Sequence, residues 1–233
     1  MVRWLLFGLL FFAQVHAAFA YEFLLDPGHS PSKPGAESCS GGLEYVYNDN
    51  LVRTIVNDLH NQGIDVDVTK NPGADLSLQA RAQKAKGKKI FLSIHHDSAQ
   101  PYLITRKHGH PCSDKVSGYS IFVSRKNKYF ELSLEYARAL GRELQKFGMV
   151  PSTHHGEPVK GENRPLLDAQ LGIYQYDDLI VLKHADAPAL LLEAAVIVNP
   201  QDDAMAKSVD FQHKIASAIK VMLHFALVHP TTQ

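Results

Sequence analysis

The chain has 233 residues, and its 24 Lys plus Arg balance 24 Asp plus Glu, so the formal net charge is zero. A composition that is 45% hydrophobic and 21% charged excludes intrinsic disorder, which needs low hydrophobicity and high net charge. The absence of a basic excess argues against a nucleic-acid partner. Thirteen His against two Cys is the unusual count, because imidazole is the commonest metal ligand.

Residues 1–20 read as a secretory signal peptide. Arg3 supplies the positive start, Trp4–Ala13 is an almost unbroken apolar run, and Ala18-Phe19-Ala20 is a small-x-small cleavage site. Residues 21–233 are then expected to form one exported domain, periplasmic or extracellular, and nothing in them points to an obligate interface beyond a monomer. No later stretch approaches the roughly 20 apolar residues of a membrane span. Export favours pairing Cys39 with Cys112, both in polar segments that read as loops.

The remaining pattern alternates short apolar runs with helical segments. Strands are expected at Tyr21–Leu25, Ile64–Thr69, Lys89–Ile94, Gly118–Val123, Leu179–Leu182 and Ala189–Leu192. Leu51, Ile55 and Leu59, with Val52 and Val56, predict a helix over about Tyr47–Gln62, closed by Gly63. Further helices are expected at Leu78–Lys86, Glu131–Phe147 and Gln201–Leu227, and Ser152–Asp168 reads as a long loop. Strands alternating with helices imply crossover connections. The expected fold is a single α/β domain with a mostly parallel sheet of about six strands and helices on both faces.

In such sheets reactive residues collect past the carboxyl ends of strands. Three such ends carry them here: Asp26-Pro27-Gly28-His29, Ser93-Ile94-His95-His96-Asp97, and Leu190-Leu191-Leu192-Glu193. Glu44, after Gly41-Gly42-Leu43, is a fourth candidate. Two imidazoles and a carboxylate, with one position left to water, make up a usual catalytic zinc site. His95 and His96 are adjacent, so on a strand they point to opposite faces and only one can join the other candidates. Glu193 follows four apolar residues, and desolvation there would raise its pKa toward the range useful for acid–base work. His154, His155 and Glu157 form another cluster, which reads more simply as an exposed polar loop than as a second metal site. His108 and His110 read as loop residues.

At these motifs the chain resembles the zinc-dependent N-acetylmuramoyl-L-alanine amidases of the amidase_3 type, which are cell-wall hydrolases. The resemblance runs from about Phe23 to Leu227 through Asp26-Pro27-Gly28-His29, Glu44 with Asn48, Ser93-Ile94-His95, Pro188–Glu193 and Asn199-Pro200, in the family's order. It implies Zn²⁺ held by His29, Glu44 and His95, Glu193 as the catalytic glutamate, and a peptidoglycan or muropeptide substrate cut between the lactyl group of N-acetylmuramic acid and L-alanine. Arg81 matches a family arginine of structural or functional use, and Asn163, Arg164 and Asp168 are candidates for shaping the groove. The chain departs from the family at Ala194–Ile197, at Ser30-Pro31, and in a long 100–117 segment. Two other readings stay open: a zinc peptidase acting within the stem peptide, and a catalytically silent wall-binding module.

Overall fold

A computed structural model describes residues 22–229, so the signal-like segment 1–20 lies outside the described residues. Strand β1 (Phe23–Pro27) alternates its side chains between two cores. Phe23 and Leu25 join one apolar cluster, while Leu24 joins the other. Helix α1 (Glu44–His60) buries Tyr47, Leu51, Val52, Ile55 and Leu59 on one stripe. The short strand β2 (Asp67–Val68) and helix α2 (Leu78–Gln83, capped by the Ser77 hydroxyl) lead to the central strand β3 (Ile90–Asp97). A two-stranded hairpin, β4 (Thr105–Lys107) and β5 (His110–Cys112), stands apart from the main sheet. Then come β6 (Ser120–Val123), α3 (Phe130–Lys146), β7 (Leu166–Asp168), β8 (Ile173–Gln175) and α4 (Ile180–Lys183). The chain continues through β9 (Ala189–Val196), α5 (Pro200–Ala206) and α6 (Val209–Val228).

The seven-stranded sheet has the order β2-β1-β3-β9-β6-β8-β7. The pairs β1–β2, β1–β3, β3–β9 and β6–β8 are parallel, whereas β6–β9 and β7–β8 are antiparallel. Helices α1, α3 and α6 cover one face, and α2 and α4 cover the other. The α/β class and the mostly parallel sheet match the sequence reading, with seven strands in place of about six.

Several boundaries differ, each for a physical reason. Leu179–Leu182, expected as a strand, is the start of α4. A four-residue apolar run carries no usable periodicity, and Val181 and Leu182 bury just as well from a helical turn. The sheet's far edge is built instead from β7 and β8, which fall in or beside the expected loop. The helix expected over 201–227 is two helices. The Asn199 side chain caps α5 through the amides of Gln201 and Asp202, and the Ser208 hydroxyl caps α6 through Phe211 N, at 3.2 Å. Each cap satisfies amides that a continuous helix would have bonded internally. The Cys39–Cys112 disulfide is present, with Cα atoms 4.7 Å apart. It ties the loop before α1 to β5. No helix among the described residues is long and apolar enough to cross a membrane.

Candidate active site

Backbone shape brings His29 into the site. It follows β1 with φ of +60°, a left-handed conformation uncommon for a residue with a side chain. That conformation turns the ring toward α1, where its Nε2 lies 3.2 Å from Glu44 Oε2. Its Nδ1 lies 3.1 Å from the Lys33 carbonyl, an acceptor only, so Nδ1 carries the hydrogen and Nε2 keeps a lone pair. Burial, opposed by Glu44, lowers the His29 pKa and favours this neutral ring.

Glu44 opens α1 and is only 4% exposed. Its Oε2 accepts from Ala36 N at 2.9 Å, and its Oε1 accepts from Asn48 Nδ2 at 3.2 Å and His96 N at 3.3 Å. His95 Nδ1 is 3.0 Å from the same Oε1, and the two imidazoles meet edge to face with centroids 4.9 Å apart. Burial pushes the Glu44 carboxyl up, but the lowering causes, the His95 hydrogen bond first among them, outweigh it and hold the carboxyl low. One ligand atom from each of His29, Glu44 and His95 lies within 4.8 Å of the other two. A neutral His29 facing an ionised carboxylate sets lone pair against lone pair, and a shared cation resolves that arrangement. The donor set and its spacing therefore suit a divalent metal.

Glu193 stands on β9 beside His95 on β3, paired in register. Its side chain is part-buried, and its Oε2 is shut off from water with no hydrogen-bond partner among the described residues. Burial, then the negative charges of Asp97 and Glu44, raise its pKa well above the ordinary carboxylate range. His29, His95 and Glu193 open onto one cleft of about 410 Å³, walled in part by Phe122, Arg164 and Tyr176.

His96 points away from the cleft, as alternation along a strand requires, and is 1% exposed. Its Nδ1 bonds Asn48 Oδ1 at 2.8 Å, and burial, against the pull of Glu44, pushes its pKa down to about 4. A neutral His96 thus orients Asn48, which in turn holds Glu44. Beneath the site, Asp26 on β1 is fully buried and gripped by Arg81 through Nε at 2.9 Å and Nη2 at 2.8 Å. Ser93 and Thr69 hydroxyls also donate to it, at 2.7 and 2.6 Å. Arg81 is therefore a clamp on the strand that delivers His29, although its edge also reaches the cleft.

Glycine matters at two positions the sequence did not distinguish. A Cβ on Gly28 would sit 2.3 Å from the His95 ring. One on Gly35 would sit 2.2 Å from Glu44 Oε2, at a φ of +77°.

The expected exposed loop around His154 and His155 is a correction. Both rings are buried, 5% and 7% exposed, in a short 3₁₀ turn (His154–Gly156) packed against the end of β3. Of the three groove candidates, Arg164 lines the cleft and stacks over Tyr176. Asp168 instead pairs with Arg138 at 3.6 Å, and Asn163 is exposed, with a left-handed φ of +61°. Asp97 and Glu162 were missed as site residues. Asp97 was visible beside His96, but nothing local marks Glu162.

Residues 23–224 match the model of the Amidase_3 family, described as N-acetylmuramoyl-L-alanine amidase. The chain belongs to this family. Among curated relatives, AmiA of Escherichia coli K12 is 24% identical over 221 residues, covering 84% of this chain and 72% of that protein. AmiC of Neisseria meningitidis is 25% identical over 220 residues, covering 84% of this chain and 50% of that one. A solved N-acetylmuramoyl-L-alanine amidase from Clostridium difficile 630 superposes with a TM-score of 0.71 at 20% identity, covering 91% of this chain and 99% of that chain. Ami1 of Mycobacterium smegmatis gives 0.70 at 20% identity, covering 89% and 97%. The expected fold of this amidase family is borne out.

Proposed function

We propose that this amidase is an exported zinc hydrolase that cleaves the amide between the lactyl group of N-acetylmuramic acid and L-alanine in peptidoglycan. The observation that carries the reading is the His29–Glu44–His95 cluster, whose two imidazoles open onto one cleft together with Glu193, in a chain of this family. His29 Nε2, a Glu44 oxygen and His95 Nδ1 are the atoms that would hold the metal. When bound, zinc would supply Lewis acidity toward the scissile carbonyl and lower the pKa of water toward about 7.

The chain's own groups then perform the proton work. Glu193 lines the cleft beside His95, so its carboxylate is placed to take a proton from the attacking water and return it to the leaving amine. His96 and Asn48 keep the Glu44 carboxylate aimed. Phe122 gives the cleft an apolar wall, and Arg164 offers a cation to carboxylates of the stem peptide. Export is supported by the signal-like residues 1–20.

The test is turnover of purified peptidoglycan with and without a chelator, with the products weighed by mass spectrometry. Chelation should stop the release of intact stem peptides, and zinc should restore it. Unchanged release in chelator would sink the zinc role. Products cut inside the stem would replace this reading with that of a peptidase.

A further inference from the structure

Asp97, His154 and His155 form a second cluster of two imidazoles and one carboxylate, with ligand atoms all within 4.8 Å of one another. His155 Nε2 is 2.7 Å and His154 Nε2 is 3.2 Å from the same Asp97 oxygen, Oδ2. The His154 Nε2 contact is not aligned as a hydrogen bond, so this 95%-buried ring keeps an unpartnered nitrogen aimed into the cluster. The outer nitrogen of each ring is fixed. His155 Nδ1 donates to Glu162 Oε2 at 2.9 Å, and His154 Nδ1 bonds the Ser152 hydroxyl at 2.8 Å. Glu162 is itself steadied by Gln100 Nε2 at 2.7 Å. A carboxylate or hydroxyl behind the ring is the usual device that points a ligating imidazole at a metal. The His29–Glu44–His95 cluster has the same composition, and its His29 ring is backed in a similar way by the Lys33 carbonyl.

The geometry points to a second divalent-cation site formed by Asp97 Oδ2, His154 Nε2 and His155 Nε2, on the wall of the same cleft. Without the cation, a proton on the His155–Asp97 line holds the acceptors together, and a metal would displace it. Two imidazoles and one carboxylate suit zinc, nickel or cobalt better than magnesium or calcium, which favour all-oxygen shells. The site would pin the 154–156 turn to the end of β3, adding to the hydrogen bonds and to the packing of His155 on Phe122 and Tyr174 that already hold this cleft wall. It does not depend on the reading of the first site.

The test is a count of zinc by elemental analysis after equilibrium dialysis of the full chain. The wild type should hold two equivalents, H154N one, E44Q one, and the double variant none. S152A, which leaves all three ligands in place, should weaken only the second equivalent, by about tenfold or more in competition with a chromophoric chelator. That variant decides the matter if H154N fails to fold. Equal zinc in the wild type and H154N, or an S152A affinity unchanged from wild type, would overturn the second site. Loss of zinc confined to H154N, with E44Q unaffected, would instead count against the first.

Discussion

His95 and Glu193 stand opposite each other on adjacent parallel strands, so both side chains rise from the same face of the sheet at its carboxyl edge. The placement is held by the β3–β9 ladder and not by either side chain. Substituting Glu193 should therefore remove chemistry and leave the neighbouring cluster intact. We expect Glu193→Gln to lower peptidoglycan turnover by roughly a hundredfold to ten-thousandfold while zinc content stays at the wild-type level. An active variant would remove Glu193 from its role.

The same substitution should stabilise the metal-free fold. The Glu193 pKa is raised in the folded state, so the folded chain binds that proton more tightly than the unfolded chain does. Stability is full below the unfolded value of about 4.3 and falls as pH rises toward the folded pKa. In chelator, Glu193→Gln should raise Tm at neutral pH, and the gain should shrink as pH falls toward 4. A gain independent of pH would mean that charge burial is not its cause.

His155 gives a window at the other end of the scale. Burial alone would lower its pKa, but Asp97 and Glu162 outweigh burial and raise it to about 9. Its contribution is fully present below the unfolded value of about 6.5 and is lost as pH rises through about 9. In chelator, thermal melts should show stability declining between pH 7 and 10, and Asp97→Asn should flatten that slope.

Removing the clamp under β1 should cost more than a surface ion pair does. Arg81→Ala strands the buried Asp26 carboxylate, and breaking such a pair from one side costs about 3–5 kcal/mol in denaturant titrations. Arg81→Ala combined with Asp26→Asn should recover part of that loss, because the uncompensated charge is gone.

Glycine 28 separates local geometry from stability. Gly28→Ala brings a methyl group within 2.3 Å of the present His95 ring position, so the ring must move. The expected result is a large fall in zinc affinity with a smaller change in Tm. Equal affinity in the variant would show that the site can absorb the displacement.

The legible parts of this chain were those written in local pattern. The short apolar runs leading to His29, His95 and Glu193 were plain in the sequence, although β3 and β9 run on past His95 and Glu193 to Asp97 and Val196, and alternation along β3 separated His95 from His96. Glu44 stood out through the family resemblance, because an acid in the first turn of a helix is favoured by the helix dipole in any case. The illegible parts depend on residues distant in sequence. Burial of His154 and His155 follows from packing against Phe122 and Asp97, which a polar run cannot announce. Glu162 matters only because its carboxylate meets His155 Nδ1. The α4 segment was misread because four apolar residues are equally consistent with a strand and with one helical turn.

The surroundings of Glu44 have a consequence for how a cation would arrive. Its carboxylate already accepts from Ala36 N, Asn48 Nδ2 and His96 N, and the strand that supplies His29 is gripped by the buried Asp26–Arg81 pair. None of these bonds requires a metal. Loading would then be a docking event on a finished surface, unlike that of small metallodomains, which fold only as they bind. Such a site would fill and empty on the timescale of ligand exchange, without waiting on folding.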